Sequence, residues 1–354
     1  MWRHLRSAAP LRVAVVQRDG ELLAIAPFCA ERKRGGRIDL RSLGGSLPRT
    51  GPLALPGHEW ETAGPIAAAL ASASPRADVV AFESASLASH WPLALAERWP
   101  GPVRPPLRRY FVQASHVVTV GARSFDDWLA TKGSHFRKSM RRMQRQVIAA
   151  GGSVRATSEA TLDDDVDAFL RLHASRWEGR GKSAIVAREP ELRAVYREVA
   201  RAHLADGRFR LYLVELDGEP VAAELLAAAG GEVVSLNGGW DERHAKLGVS
   251  NFCMLHAIED AFARGDKRLD WAPGDQLFKQ RFADANHPVA WTVLVVPRPR
   301  MALTLARVTP TVARVQGREA LKRALPAAQV ERVRDLRGRQ RLRRAQPPGT
   351  PQRS

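Results

Sequence analysis

Residues 237–251 read Asn237-Gly238-Gly239-Trp240-Asp241-Glu242-Arg243-His244-Ala245-Lys246-Leu247-Gly248-Val249-Ser250-Asn251, and the segment runs on to Phe278-Lys279-Gln280-Arg281-Phe282. It contains a strand end, a Gly-bearing turn, an amphipathic helix, a second strand and a second short helix. Phe252, Leu255, Ile258 and Phe262 fall on one face of the first helix. The turn Lys246–Ser250 opens straight into that helix. A helix start leaves backbone N–H groups without intrahelical acceptors and carries the positive end of the dipole. Lys246, Leu247, Gly248, Val249 and Ser250 therefore suit the phosphates of a cofactor, with Asn237 and Gly238 at the adjoining strand end. The plainer alternative is a helix start with Ser250 as its N-cap.

Working outward, Phe209–Leu216, Pro220–Ala229 and Glu232–Asn237 read as strands joined by the tight turns Asp217-Gly218 and Gly230-Gly231. Helices over Leu162–Trp177 and Glu189–Ala205 precede them. Strand Arg268–Ala272, helix Asp275–Phe282 and strand Val289–Val296 follow. A meander leading into a βαβ unit predicts a mixed α/β sheet with helices on its faces. Upstream, Ser134 is the expected N-cap of a long helix with a core stripe Phe136, Met140, Met143 and Val147. Residues 11–120 give a weaker pattern of hairpin, helix, strand, helix and strand, which suggests a degenerate copy of the same fold. The expected domains are 1–120, 121–297 and a basic, partly helical or disordered tail at 298–354, with short helices interrupted by Pro310 and Pro326.

The chain has 354 residues, 45% of them hydrophobic, and nine Trp, which supports packed cores. Cys29 and Cys253 form no disulfide framework and lack metal-ligand spacing, so a reducing cytoplasm is expected and no metal. No apolar run is long enough to span a membrane, and Asp19 and Glu21 interrupt any signal-like start. Of the net charge of +18, residues 298–354 carry fifteen Lys/Arg against three acids, so the remainder is only mildly basic. The tail could pack on a domain, lie on an anionic membrane surface at the inner face, or stay disordered. It lacks stacking aromatics, which argues against nucleic-acid readout.

Several side chains could carry chemistry. Lys132, Arg137, Lys138, Arg141, Arg142 and Arg145 form an acid-free run, whereas solvated helix faces normally mix signs. An anionic ligand or a solvated face are the two readings. His173, Arg176 and Trp177 share a helix face that either lines an acceptor pocket or covers the core. Glu224 lies between apolar neighbours in a strand. With Asp241 and His244 it is a candidate general base, the alternative being a charge on a solvent face. Asp270 and Asp275 flank a strand end of the kind where α/β folds place ligands, next to Phe278-Lys279. Cys253 has no base beside it and is rejected as a nucleophile.

The 209–296 pattern resembles the GNAT acyltransferase superfamily in its Asp217-Gly218 hairpin, its turn-to-helix seat and the βαβ unit that follows. More narrowly, residues 125–290 are similar to the CelD-like branch, bacterial proteins named for cellulose biosynthesis and related to the Fem peptidoglycan transferases. His135-Phe136-Arg137-Lys138, His173 with Arg176-Trp177 and Arg180-Gly181, Leu211–Ala223, Asp241, Lys246, Gly248, Asp270, Gly274-Asp275 and Phe278-Lys279 with Arg281 carry that resemblance. The superfamily's phosphate loop, Gln/Arg-x-x-Gly-x-Gly/Ala, is half present: Gly248 and Ser250 fit, and Ala245 stands where Gln or Arg is usual. The resemblance implies tandem GNAT-like domains and an N-acyltransferase using acetyl-CoA or another acyl-CoA. Its acceptor would be an anionic or sugar-linked amine. Lys279, Asp241 and Glu224 would be catalytic, and His173, Arg176, Trp177, Arg137, Lys138, Asp270, Asp275 and Phe278 would bind substrate. It leaves two alternatives, an aminoacyl-tRNA-dependent Fem-type transferase and an inactive scaffold in polysaccharide assembly.

Overall fold

The computed structural model describes residue 4 and residues 9–43, 50–121, 123–177, 189–274 and 276–324. The chain begins with β1 (Leu11–Arg18), β2 (Glu21–Arg32), β3 (Ile38–Ser42), β4 (Leu53–Ala54), α1 (Glu59–Ser72), β5 (Val79–Ser86), α2 (Trp91–Glu97), β6 (Leu107–Gln113) and β7 (Ser115–Thr119). There follow α3 (Phe125–Ala130), α4 (Ser134–Ala149), β8 (Gly152–Ala156), α5 (Leu162–Trp177), α6 (Glu189–His203), β9 (Phe209–Leu216), β10 (Glu219–Ala229) and β11 (Glu232–Trp240). A 3-10 turn (Glu242–Leu247), α7 (Val249–Ala263), β12 (Arg268–Pro273), α8 (Leu277–Phe282), β13 (Ala285–Asn286), β14 (Val289–Val295) and α9 (Met301–Ala324) complete it. Two compact units result: one of Met1–Thr119 with Asp270–Glu319, the other of Val120–Leu269 with Ala320–Ser354.

In the first unit the strand order is β1-β2-β3-β5-β14-β6, with β4 on β2. Only β3–β5 is parallel, across the α1 crossover. The β1–β2 hairpin turns at Asp19 (φ 51°) and Gly20 (φ 84°), the double left-handed geometry that matches strand twist. Phe28, Leu40, Phe82 and Leu294 pack with Ile66, Leu70, Trp91 and Leu95 of α1 and α2. Val79–Phe82 is buried at every position. This is because Val79 and Ala81, on the alternate side, meet Val308 and Val312 of α9.

Strand 289–295 does not close the central domain: it lies between β5 and β6, antiparallel to both, so residues 270–319 group with the N-terminal unit. The tail's first part is not a loose arm of short helices. α9 runs through Pro310, because Val308 and Val312 gain more from the sheet than the lost turn costs. Residues 325–354 lie outside the described residues. The single strand expected over 110–120 is two, β6 and β7, broken at Ala114.

In the second unit β8, β9, β10 and β11 pair in that order, each antiparallel to the next, and the start of β12 follows β11. Asp217 (φ 51°) and Gly218 (φ 80°) make the β9–β10 turn. Phe209–Val214 is buried throughout, as a strand covered on both faces must be. α5 packs on β10 and β11, and α7 on β9 and β10. The expected cap Ser134 is instead the first helical residue of α4. Gly133 holds the cap position without a side-chain bond, whereas Ser124 forms a full capping box with Asp127 at α3. Met140, Met143 and Val147 are buried as expected, and Phe136 is half-buried. No helix among the described residues is long and apolar enough to cross a membrane.

Candidate active site

The second unit brings several of the expected residues together around β10 and β11. Glu224 is opposite Gly238 in the antiparallel register. Its carboxylate is buried (6% exposed), so the reading of a charge on a solvent face is corrected. Ser235 donates its hydroxyl to Glu224 Oε1. A Cβ at Gly238 would lie 2.2 Å from Glu224 Oε2, so the carboxylate fills the space that a side chain there would need. His173 Nδ1 stands 3.1 Å from Gly238 O. A carbonyl only accepts, so Nδ1 donates in this contact. Gly238 thus touches both titratable groups.

Local sequence explains this arrangement. The β10–β11 register slips between Leu225 and Leu226, leaving Leu236 as a bulge between Ser235 and Asn237. Residues on either side of the bulge are re-aimed, which lets Ser235 and Gly238 both reach Glu224. Gly239 has a different task. Its Cβ would fall 2.4 Å from His173 N and 2.5 Å from Leu172 C, so α5 lies directly on β11. Asn237 hydrogen-bonds Tyr196, whose phenol is pushed up to about 12 by burial, with Asn237 acting in the opposite direction. Cys253 is buried too. Burial pushes its thiol well up and the Glu224 charge adds to this, which supports its rejection as a nucleophile.

Beyond the C-terminal end of β11, Gly248 (φ 83°) is both the end of the 3-10 turn and the N-cap of α7. It donates its own amide to Ala245 O, and no side chain caps α7. Ser250 therefore is not the N-cap; it lies within the first turn, half-buried, with Val249 buried beside it. Gly248 has two structural reasons of its own. Its φ is left-handed, and a Cβ would meet Met143 Cγ at 2.9 Å. Lys246 is exposed and Leu247 half-buried.

Asp241 caps the 3-10 turn through Arg243 N and is gripped by the Arg243 guanidinium. The Arg243 side chain holds its carboxyl down at about 2, which leaves it a weak base at neutral pH. Its role is structural. Arg137 likewise closes the end of α3, donating to Ala130 O and Lys132 O, both at 2.8 Å. Lys138 is exposed.

The remaining expected residues belong to the first unit. Asp270 is 1% exposed and accepts from Ser115 Oγ at 2.6 Å and Ala272 N at 2.9 Å, anchoring the strand end. Lys279 and Phe282 are the buried residues of α8, and Phe278 is half-buried. A solvated lysine opposite a buried Phe278/Phe282 pair, the plain expectation for such a helix, holds only for Phe282. Lys279 Nζ donates to Ala272 O (3.1 Å) and Pro273 O (3.2 Å), fastening α8 to the end of β12. Asp275, the side chains of Arg176 and Trp177, and Arg180-Gly181 lie outside the described residues. Among the described residues no cluster of His, Cys, Asp or Glu is placed to hold a metal ion.

Sequence reasoning missed Ser235, Tyr196 and Met143 as neighbours of this region. A serine three residues before a Gly-Gly pair on a strand that faces a buried glutamate was the available signal for the first.

Residues 134–280 match the family described as an acetyltransferase (GNAT) domain. No curated protein matches the sequence significantly. Among solved structures, FemX is similar with a TM-score of 0.56 at 12% identity, over 80% of this chain and 88% of that one. The C-terminal DUF2156 domain of an Agrobacterium fabrum protein gives 0.52 at 12% identity, over 84% and 88%. L-PGS from Bacillus licheniformis gives 0.51 at 13% identity, over 86% and 89%. At such identities these likenesses concern the fold. Residues 134–280 thus match a GNAT acetyltransferase domain, and the chain shares the mixed α/β fold of FemX.

Proposed function

We propose that the protein is an N-acyltransferase that moves an acyl group from an acyl-coenzyme A thioester to an amine. The observation that carries the reading is the first turn of α7, which has no side-chain cap and follows the bulged strand β11 after one 3-10 turn. The amides of Val249 and Ser250, with Lys246 beside them, would take the pyrophosphate. Backbone donors of β11 near the bulge would face the thioester carbonyl as it gains charge. Glu224, seated by Ser235 and Gly238, is the proposed base that receives the proton of the attacking amine, directly or through water. His173 is the second candidate, through Nε2. In balance, the amine nitrogen bonds the acyl carbon, the C–S bond breaks, the sulfur leaves as thiolate and takes up one proton, and the amine's proton passes to the base.

Gly248 is a poor residue with which to test this, since its replacement strains the backbone and displaces Met143. Ser250→Glu places a carboxylate at the same turn without either penalty. Calorimetric affinity for acetyl-CoA should fall at least tenfold while thermal stability holds. An unchanged affinity would dismiss the donor assignment. The Fem-type alternative, an aminoacyl-tRNA donor, would instead show salt-steep tRNA binding and no response to coenzyme A. The CelD-like resemblance supports a sugar-linked acceptor in polysaccharide biosynthesis, and a panel of amino sugars assayed for coenzyme A release tests it.

A further inference from the structure

Outside α4, most described arginines of the second unit pair with acids. Arg155 bridges Asp165 and Glu215; Arg193, Arg197 and Arg201 meet Asp163 and Asp167; Arg210, Arg264 and Arg268 each reach an acid. α4 breaks the rule. Lys138, Arg141, Arg142 and Arg145 are exposed, and α4 itself contains no acid. None of the four has an ion pair or hydrogen bond among the described residues.

At 100° per residue these four cations fall within an arc of about 100°, opposite the buried Met140, Met143 and Val147. Ile148 lies at one edge of the same outward stripe. It is 62% exposed and is the only exposed large hydrophobic side chain among the described residues of 120–269. The stripe therefore combines unneutralised cations with one apolar tooth, on a helix held rigid by its buried side.

We propose that this face of α4 docks on an anionic phospholipid bilayer, the cations meeting headgroup phosphates and Ile148 entering the headgroup–acyl boundary. The chemistry favours a lipid surface over a nucleic acid. Sequence-tolerant binding to a single strand relies on exposed aromatics for stacking, and no Phe, Tyr or Trp is exposed on α4, whereas an exposed aliphatic side chain among cations suits a membrane interface. The attraction is electrostatic first, so it is reversible and weakened by salt. The inference does not depend on the acyl donor proposed above.

The experiment uses the full-length chain and sedimentation with vesicles of 30% phosphatidylglycerol in phosphatidylcholine, beside pure phosphatidylcholine. Each basic residue near an anionic surface contributes roughly fivefold in partitioning. The variant with Lys138, Arg141, Arg142 and Arg145 all changed to Gln should lose binding by more than about a hundredfold. Ile148→Ser, which keeps every charge, should weaken it about threefold to tenfold. A matched control with Arg337, Arg339, Arg341 and Arg343 changed to Gln removes the same charge from the basic C-terminal region and should retain most of the binding. Circular dichroism and melting temperature confirm that each variant folds. The proposal is overturned if the α4 variant binds like the wild type, if only the C-terminal control loses binding, or if the wild type ignores anionic vesicles and instead retains bulk RNA at the same salt.

Discussion

Glu224 and Gly238 face each other across β10 and β11 so closely that a methyl group on Gly238 would sit 2.2 Å from Glu224 Oε2. The glycine is the seat of the carboxylate. Gly238→Ala should therefore expel Glu224 from its place, costing about 1–3 kcal/mol in urea unfolding through overpacking. Coenzyme A release with an accepted amine should fall at least a hundredfold. Glu224→Gln keeps the volume and isolates the charge: if Glu224 is the base, its rate falls by a similar factor with acetyl-CoA affinity preserved. A Gln variant as active as the wild type would shift the role to His173.

Gly239 gives a purely structural counterpart. Its neighbours are backbone atoms of Leu172 and His173, which cannot swing aside as a side chain can. Gly239→Ala should cost about 3 kcal/mol or more, because α5 must lift from β11. Hydrogen exchange should show the loss of protection concentrated in α5.

Asp241 supplies a pH test with a definite sign. Its folded carboxyl is held at about 2 by Arg243, below the ordinary value near 4. A depressed folded pKa contributes stability above the unfolded pKa, and this is lost as pH falls through the folded one. The stability difference between wild type and Asp241→Asn should thus be constant above about pH 5 and shrink between about pH 4 and 2. Chemical denaturation across that range measures it. Because the group stays ionised, the same variant should leave the neutral limb of the activity profile in place.

Arg210 and Asp266 form a buried bidentate pair at 2.6 and 3.1 Å, with Arg210 Nε also donating to Gly207 O. Asp266→Ala should cost about 3 kcal/mol, since the buried guanidinium loses its bidentate partner and keeps Asp260 only at 3.8 Å. Replacing both residues with apolar ones should recover much of that loss, and a double-mutant cycle by urea denaturation checks it.

The mixed α/β character, the three-strand meander and the turn ahead of α7 were legible because each rests on local signals. Asp217-Gly218 and Gly230-Gly231 mark hairpins, and the stripe Met140, Met143, Val147 marks a helix face. What escaped depends on tertiary partners. Nothing local says that Val289–Val295 inserts between β5 and β6, nor that α9 survives Pro310 because Val79, Ala81 and Val293 await it. At the site, the sequence named Glu224, Gly238 and His173 but not their association, which the bulge at Leu236 creates. Asp241 and Arg137 looked chemical because charges near a turn do; their hydrogen bonds show caps.

The placement of β14 has a consequence for biosynthesis. β5 and β6 leave the ribosome well before β14, which must slot between them. At about 5–20 residues per second, their inner edges wait on the order of ten to forty seconds for the strand that completes their sheet. The N-terminal sheet is thus begun first yet completed only when β14 emerges, and until then the edges of β5 and β6 that it will cover stay open to other strands.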